Sequence, residues 1–142
     1  MFIYTDGSCS GNPGRGGYGV VILDDNENLV QTVSRPSIDL TTNNREELKA
    51  ILYAMKNYGQ RQPIPIVYSD SAYAVQTLND WMFRWAKNNW KRPRNQTPEN
   101  LDIIREYYNF YQQGYRIILN HIKGHNGHKW NEMADKLAKG EI

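Results

Sequence analysis

Hydrophobic and polar positions alternate in short blocks along this chain, and the blocks change period several times. Residues 2–5, 18–23 and 29–34 are rich in β-branched and aromatic side chains and are separated by a glycine-rich segment and an Asp-Asp-Asn-Glu-Asn turn. They predict three strands of an antiparallel meander. From Thr42 onward Leu48, Ile51, Leu52, Met55 and Tyr58 recur at helical spacing, with Thr42 placed to cap the helix and Gly59 to stop it. Residues 65–69 lie between a proline-rich loop and Asp70 and are too short for a helix, so they read as strand four. Residues 72–78 and 80–86 read as two short helices. Residues 99–113 read as a longer one, with Leu101, Ile104, Tyr108 and Tyr111 on one face and Gly114 as its end. Strand five is expected at 115–120, and a last helix at 130–139, burying Trp130, Met133, Ala134, Leu137 and Ala138. The order βββαβαααβα predicts a mixed α/β (α+β) fold, a five-stranded mixed sheet flanked by helices.

Composition narrows the setting. The 142 residues suit one domain, spanning 1–142, with one core. No apolar run exceeds residues 20–23, which leaves neither a membrane span nor a signal-peptide core. The single cysteine, Cys9, excludes an internal disulfide and a cysteine-built zinc site and fits a reducing compartment, so the cytoplasm is the expected setting; a monomer is expected. The net charge of +2 hides an asymmetry. Residues 81–98 hold Arg84, Lys87, Lys91, Arg92 and Arg94 and no acid, leaving twelve basic residues against 15 acidic ones elsewhere. Concentrated positive charge beside a slightly acidic body suits a polyanion partner next to something that needs carboxylates, as a nucleic acid with metal ions would.

Four acids stand where turn capping or solvent exposure explains them poorly. Asp6 and Asp70 each close a predicted strand, within Tyr-Thr-Asp-Gly-Ser and Tyr-Ser-Asp-Ser. If those strands are parallel neighbours, both carboxylates emerge at the sheet edge where ligands bind in open α/β sheets. Glu47 lies in the first turns of the first long helix, and Asp135 projects from the last helix one turn after Asn131. Clustered carboxylates repel and need cations, and an all-oxygen ligand set favours Mg²⁺ or Mn²⁺. Two such ions about 4 Å apart can serve the attacking and leaving oxygens of a phosphodiester.

The text around these acids is specific. Asp6-Gly-Ser-Cys9-Ser-Gly11-Asn12-Pro-Gly14, Thr41-Thr42-Asn43-Asn44-Arg45-Glu46-Glu47-Leu48, Tyr68-Ser-Asp70-Ser71 and Lys123-Gly-His125-Asn-Gly-His128 followed by Asn131-Glu-Met-Ala-Asp135 together resemble type 1 ribonuclease H, in order and over residues 2 to about 139. The resemblance implies a ribonuclease H-like fold. It also implies an acidic quartet, Asp6, Glu47, Asp70 and Asp135, that binds two Mg²⁺ ions and hydrolyses the RNA strand of an RNA–DNA hybrid to 5′-phosphate and 3′-hydroxyl ends. The family pattern selects Glu47 over its neighbour Glu46, because the catalytic glutamate stands directly before the leucine. By the same resemblance Cys9, Gly11, Asn12 and Asn44 lie along the minor groove, Asn43 beside them binds substrate, and Glu47 accepts from a ribose 2′-hydroxyl. Thr42 and Asn100 match a pocket for a DNA phosphate. Two departures are visible: Leu40 stands where many relatives offer arginine to that pocket, and Ala72 where a glutamine can reach the bases.

The remaining motifs divide between packing and chemistry. Residues 14–19 spell G-x-G-x-x-G, but a strand rather than a helix follows, so no dinucleotide is expected there. His121 sits in an apolar run and reads as a packed strand residue, and His128 as packing at a helix start. His125, flanked by glycine before the helix that carries Asp135, is suited to moving a proton near neutral pH, the role the family gives it. Trp81 and Trp85, a turn apart, read as a satellite core. Lys87, Trp90, Lys91, Arg92 and Arg94 resemble the basic protrusion with which type 1 enzymes grip the DNA strand, through backbone contacts that carry no sequence preference. The rival readings are another metal nuclease of the same superfamily, such as a resolvase, an integrase core or a reverse-transcriptase domain, and a silent hybrid-binding module, which would lack one of the acids.

Overall fold

The computed structural model describes residues 1–124 and 128–142. Its elements are β1 (Phe2–Gly11), β2 (Gly14–Leu23), β3 (Leu29–Pro36), α1 (Asn43–Tyr58), β4 (Ile66–Ser69), α2 (Ala72–Gln76), α3 (Met82–Lys87), α4 (Leu101–Gln112), β5 (Ile118–His121) and α5 (Lys129–Ala138). The strands form one sheet in the order β3-β2-β1-β4-β5. β1, β2 and β3 run antiparallel, while β4 lies parallel to both β1 and β5. This is the mixed sheet that the element order predicts.

Both faces of the central strands are covered, so the strands read as continuous apolar runs. Alternate residues point to opposite faces. Ile3, Val20 and Ile22 join Leu48, Ile51 and Met55 of α1 and Ile104 of α4 in the larger core. Tyr4, Val21 and Leu23 meet Ala134 and Leu137 of α5 on the other side. Helix α1 begins as its sequence signals: the Thr42 hydroxyl accepts from Arg45 N at 3.2 Å, and Gly59 N closes the far end on Met55 O at 2.9 Å.

Five expectations change in detail. β1 and β2 run past the apolar stretches to Gly11 and Gly14, because their paired backbones continue the ladder through the glycine-rich segment. Asp6 therefore lies inside β1, opposite Gly19, and does not end it. The two short helices expected at 72–86 are joined by a π-helical turn at Thr77–Trp81, which absorbs the predicted break. The buried face of α4 is centred on Ile103, Ile104 and Tyr107, with Tyr108 and Tyr111 on its margin, since α4 packs on α1 and needs the wider stripe. β5 is shorter and shifted relative to 115–120, because Tyr115 N bonds Phe110 O at the end of α4, where the two rings also pack, and Arg116 N bonds Gly59 O.

Candidate active site

The parallel register Thr5↔Ser69 fixes the geometry of the site. It brings Asp6 and Asp70, the next residues on each strand, to one edge of the sheet. Glu47 reaches the same edge from the second turn of α1. For α1 to come this close, β1 must offer no side chain at residue 7: a Cβ there would lie 2.3 Å from Glu47 N. Gly19 does the same for α5, since its Cβ would lie 2.3 Å from Ala134 O. Two glycines beside Asp6 thus let a helix seat against each face of the sheet at the point where the acids gather.

One carboxylate oxygen from each of Asp6, Glu47 and Asp70 lies within 4.8 Å of the others. Asp6 is 3% exposed and Glu47 7%. Gly7 N donates to Asp6 Oδ1 at 2.9 Å and to Glu47 Oε1 at 3.0 Å, and the Ser69 hydroxyl faces Glu47 Oε2 at 3.5 Å. Burial pushes Asp6 up to about 7; the hydrogen bond with Glu47 opposes this, and the charges of Asp70 and Asp135 add to it. Glu47 is raised well above the ordinary carboxylate range, first by burial, then by its sharing with Asp6 and the charge of Asp70, against the Gly7 amide. Two buried acids that resist ionising and a third carboxylate beside them, all with oxygen as donor atoms, form a site that divalent cations stabilise.

Asp135 stands outside this trio on α5. Its Oδ2 pairs with Lys139 Nζ at 3.1 Å, and its charge still reaches Asp6. His125 lies outside the described residues. His121 is not a packed strand residue: it is exposed at the end of β5, with its ring nitrogen 3.2 Å from Asp70 O, because β5 is the sheet's edge strand. His128 starts α5, Nδ1 accepting from Asn131 N at 3.4 Å and the ring lying 5.0 Å from that of Tyr4.

The segments singled out for substrate contact fall into two groups. At the first, the single S–H of Cys9 is shared between Gly11 O at 2.6 Å and Thr41 O at 3.2 Å, Gly11 has φ +93°, and Asn12 Oδ1 accepts from Asn43 N at 3.1 Å. Asn43 and Asn44 are exposed in the first turn of α1. Thr42 and Asn100 are linked through Arg45, whose amide Thr42 caps. The Arg45 guanidinium lies 3.5 Å from Asn100 Oδ1 and grips Asp102 at 3.0 and 2.6 Å. Sequence reasoning missed Arg45, although its place three residues after a helix cap was a usable signal.

The second group is the 81–98 segment. Lys87, Arg92 and Arg94 are exposed there, and Lys91 bonds the Thr97 hydroxyl at 3.0 Å. Trp90 turns inward, edge-on to Tyr108 at 5.2 Å and covered by Arg105, so much of its surface is spent on packing. Trp85 packs against the main core, while Trp81 is 37% exposed. Together with Tyr73, Lys91 and Arg92 the two tryptophans line a cleft of about 560 Å³.

Comparison with known proteins shows the family: the RNase H family model matches residues 1–142. The chain belongs to the ribonuclease H family. A ribonuclease H of Cereibacter sphaeroides (strain ATCC 17025) is 40% identical over 141 residues, 98% of this chain and 92% of that protein. The crystal structure of LC11-RNase H1 in complex with RNA/DNA hybrid superposes with a TM-score of 0.72 at 25% identity, covering 99% of this chain and 95% of that one. The solution structure of the PFV RNase H domain matches at a TM-score of 0.83 and 22% identity, covering 99% and 92%, and shows the same fold. The acidic trio is consistent with a ribonuclease H metal site. Among the described residues no helix is long and apolar enough to cross a membrane.

Proposed function

We propose that this ribonuclease H enzyme, acting as one catalytic domain over residues 1–142, cleaves the RNA strand of RNA–DNA hybrids by a two-ion mechanism. Asp6, Glu47, Asp70 and Asp135 hold two Mg²⁺ ions, for which Mn²⁺ can substitute. The observation that carries the reading is the meeting of three carboxylate oxygens within 4.8 Å, two of them on acids that burial makes reluctant to ionise. Hard divalent cations fit that donor set. Bound there, the ions supply activation of the attacking water and neutralisation of charge on the departing 3′-oxygen.

The chain's own groups do the rest. Water oxygen bonds to phosphorus while the bond to the 3′-oxygen breaks, leaving 5′-phosphate and 3′-hydroxyl ends. No protein side chain is the nucleophile. Gly7 N holds Asp6 and Glu47 together through two hydrogen bonds, and Glu47 accepts from a ribose 2′-hydroxyl. Cys9, Gly11, Asn12, Asn43 and Asn44 read the minor groove, where 2′-hydroxyls separate RNA from DNA. Thr42 and Asn100 receive a phosphate of the DNA strand, and Lys87, Trp90, Lys91, Arg92 and Arg94 bind its backbone. His125 moves a proton at the leaving oxygen. The enzyme works as a monomer in the cytoplasm. The similarity to a ribonuclease H solved with an RNA/DNA hybrid supports the choice of substrate.

The test is a cleavage assay on labelled RNA–DNA, 2′-O-methyl-RNA–DNA, RNA–RNA and DNA–DNA duplexes with Mg²⁺ or EDTA. Only the unmodified hybrid should be cut, only with the metal. Asp70→Asn should bind hybrid and leave it intact. Cutting of DNA duplex at a comparable rate would move the assignment to the resolvase or integrase reading, and Mg²⁺-dependent cutting by Asp70→Asn would remove Asp70 from the site.

A further inference from the structure

Glu46, the glutamate that the catalytic role passes over, is one of the most deeply buried charged side chains of the chain, at 1% exposure. It sits one residue before Glu47 and faces a different way. Its Oε2 accepts from the Thr41 hydroxyl at 2.7 Å and pairs with Lys49 Nζ at 2.9 Å. Its Oε1 is buried without a hydrogen-bond partner among the described residues. A carboxylate left half satisfied in the interior stabilises a fold less than an apolar side chain of similar volume would. Stability alone is a poor reason for it to be there.

What it holds is informative. Thr41 is itself buried, and its backbone makes an isolated antiparallel bridge to Gly14, N to O at 2.7 Å one way and 2.9 Å the other. Thr41 O also takes the Cys9 thiol, and two residues on Asn43 N donates to Asn12. The 9–14 hairpin tip and the 41–44 segment are therefore one bonded unit. Glu46 ties that unit to the helix turn that carries Glu47.

We propose that Glu46 is a positioning residue for substrate recognition, holding Thr41 so that the 9–12 turn and Asn43–Asn44 keep their register with the Asp6–Glu47–Asp70 cluster. This rests on the reading above that those loops contact the hybrid's minor groove. Glu46 touches neither substrate nor ions. Its loss should loosen binding of the hybrid, while hydrolysis of bound hybrid continues.

The experiment compares wild type with Glu46→Ala, Glu46→Gln, Thr41→Val and the Glu46→Ala/Thr41→Val double variant, measuring KM, kcat, Mg²⁺ dependence and thermal midpoint on an RNA–DNA hybrid. Glu46→Ala and Thr41→Val should each raise KM about tenfold and change kcat less than threefold. Their Mg²⁺ dependence should match wild type. The double variant should be no worse than the worse single one, because both remove one interaction. Glu46→Gln keeps an acceptor for the Thr41 hydroxyl and should return KM to within threefold of wild type. A lowered thermal midpoint with unchanged KM would make Glu46 structural only, and additive effects would separate Glu46 from Thr41; either result overturns the proposal. Should Glu46→Ala fail to fold, Thr41→Val, a hydroxyl exchanged for a methyl, decides alone. Failure of the functional reading would be visible separately, as wild type that does not cut the hybrid.

Discussion

The metal-free acid cluster should make folding stability fall as pH rises, which is opposite to the behaviour of a carboxylate held by a salt bridge. Asp6 ionises near its ordinary 3.8 in the unfolded chain and at about 7 in the folded one. Between those values the folded state binds more protons than the unfolded state, so stability is lost as pH increases through the window. A gap of about three pH units at ~1.4 kcal/mol each gives up to about 4 kcal/mol lost between pH 4 and pH 7.5. Glu47, raised first by burial and then by its hydrogen bond with Asp6, shifts in the same sense. Urea unfolding followed by tryptophan fluorescence, in EDTA from pH 4.5 to 8, measures the slope. Asp6→Asn should flatten it and be more stable than wild type at pH 7.5. Mg²⁺ at 100 times its dissociation constant should restore about 2.7 kcal/mol to the wild type and much less to the variant. A metal-free wild type whose stability is level or rising across this window, or an Asp6→Asn slope equal to it, would refute the account of the cluster as a repulsive site relieved by cations.

Gly7→Ala should destabilise by about 3 kcal/mol, the upper end for overpacking, and cut kcat sharply, because the new Cβ meets the Glu47 backbone; a urea midpoint and a rate with wild-type values would show that α1 can retreat at no cost. Replacing Lys91, Arg92 and Arg94 together with alanine should raise KM, leave kcat unchanged, and lower the log–log salt slope by about 0.9 for each lost phosphate contact. An unaltered slope would remove that segment from the backbone interface. His125→Ala should fold and bind hybrid normally while kcat falls about 10²-fold, the low end for a positioned acid–base group, and its pH–rate profile should lose a histidine-like inflection; undiminished kcat at every pH would dismiss the residue.

Local signals carried most of the architecture. The cap at Thr42, the stop at Gly59 and the apolar blocks are short-range features; they place α1 within a residue and mark the apolar parts of β1 and β2, whose glycine-rich continuations carry no apolar signal. Asp6, Glu47 and Asp70 were legible because the ends of the apolar stretches and a helix start converge once β1 and β4 are taken as parallel, as they are, although Asp6 proves to lie inside β1. What was not legible depends on distant neighbours. His121 looks apolar in its sequence context and is exposed because, among the described residues, no strand pairs beyond β5. The π-helical turn has no marker of its own. Trp90 reads as a nucleic-acid contact in a basic segment, and only the position of Tyr108 shows how much of it is packed.

The parallel pairing of β1 with β4 also governs the order of events. The Thr5 hydroxyl bonds Tyr68 O across 63 positions of chain, and Asp135 arrives from near the far end on α5. No local hairpin or single helix contains two of the gathered acids. Contacts of such long sequence separation are slow to close, so the repulsion among the carboxylates is expected to be met as these strands and helices dock. An interaction absent from the transition state changes the unfolding rate and leaves the folding rate alone. Divalent ions should accordingly act as a kinetic latch on the finished molecule, slowing its opening without hastening its formation.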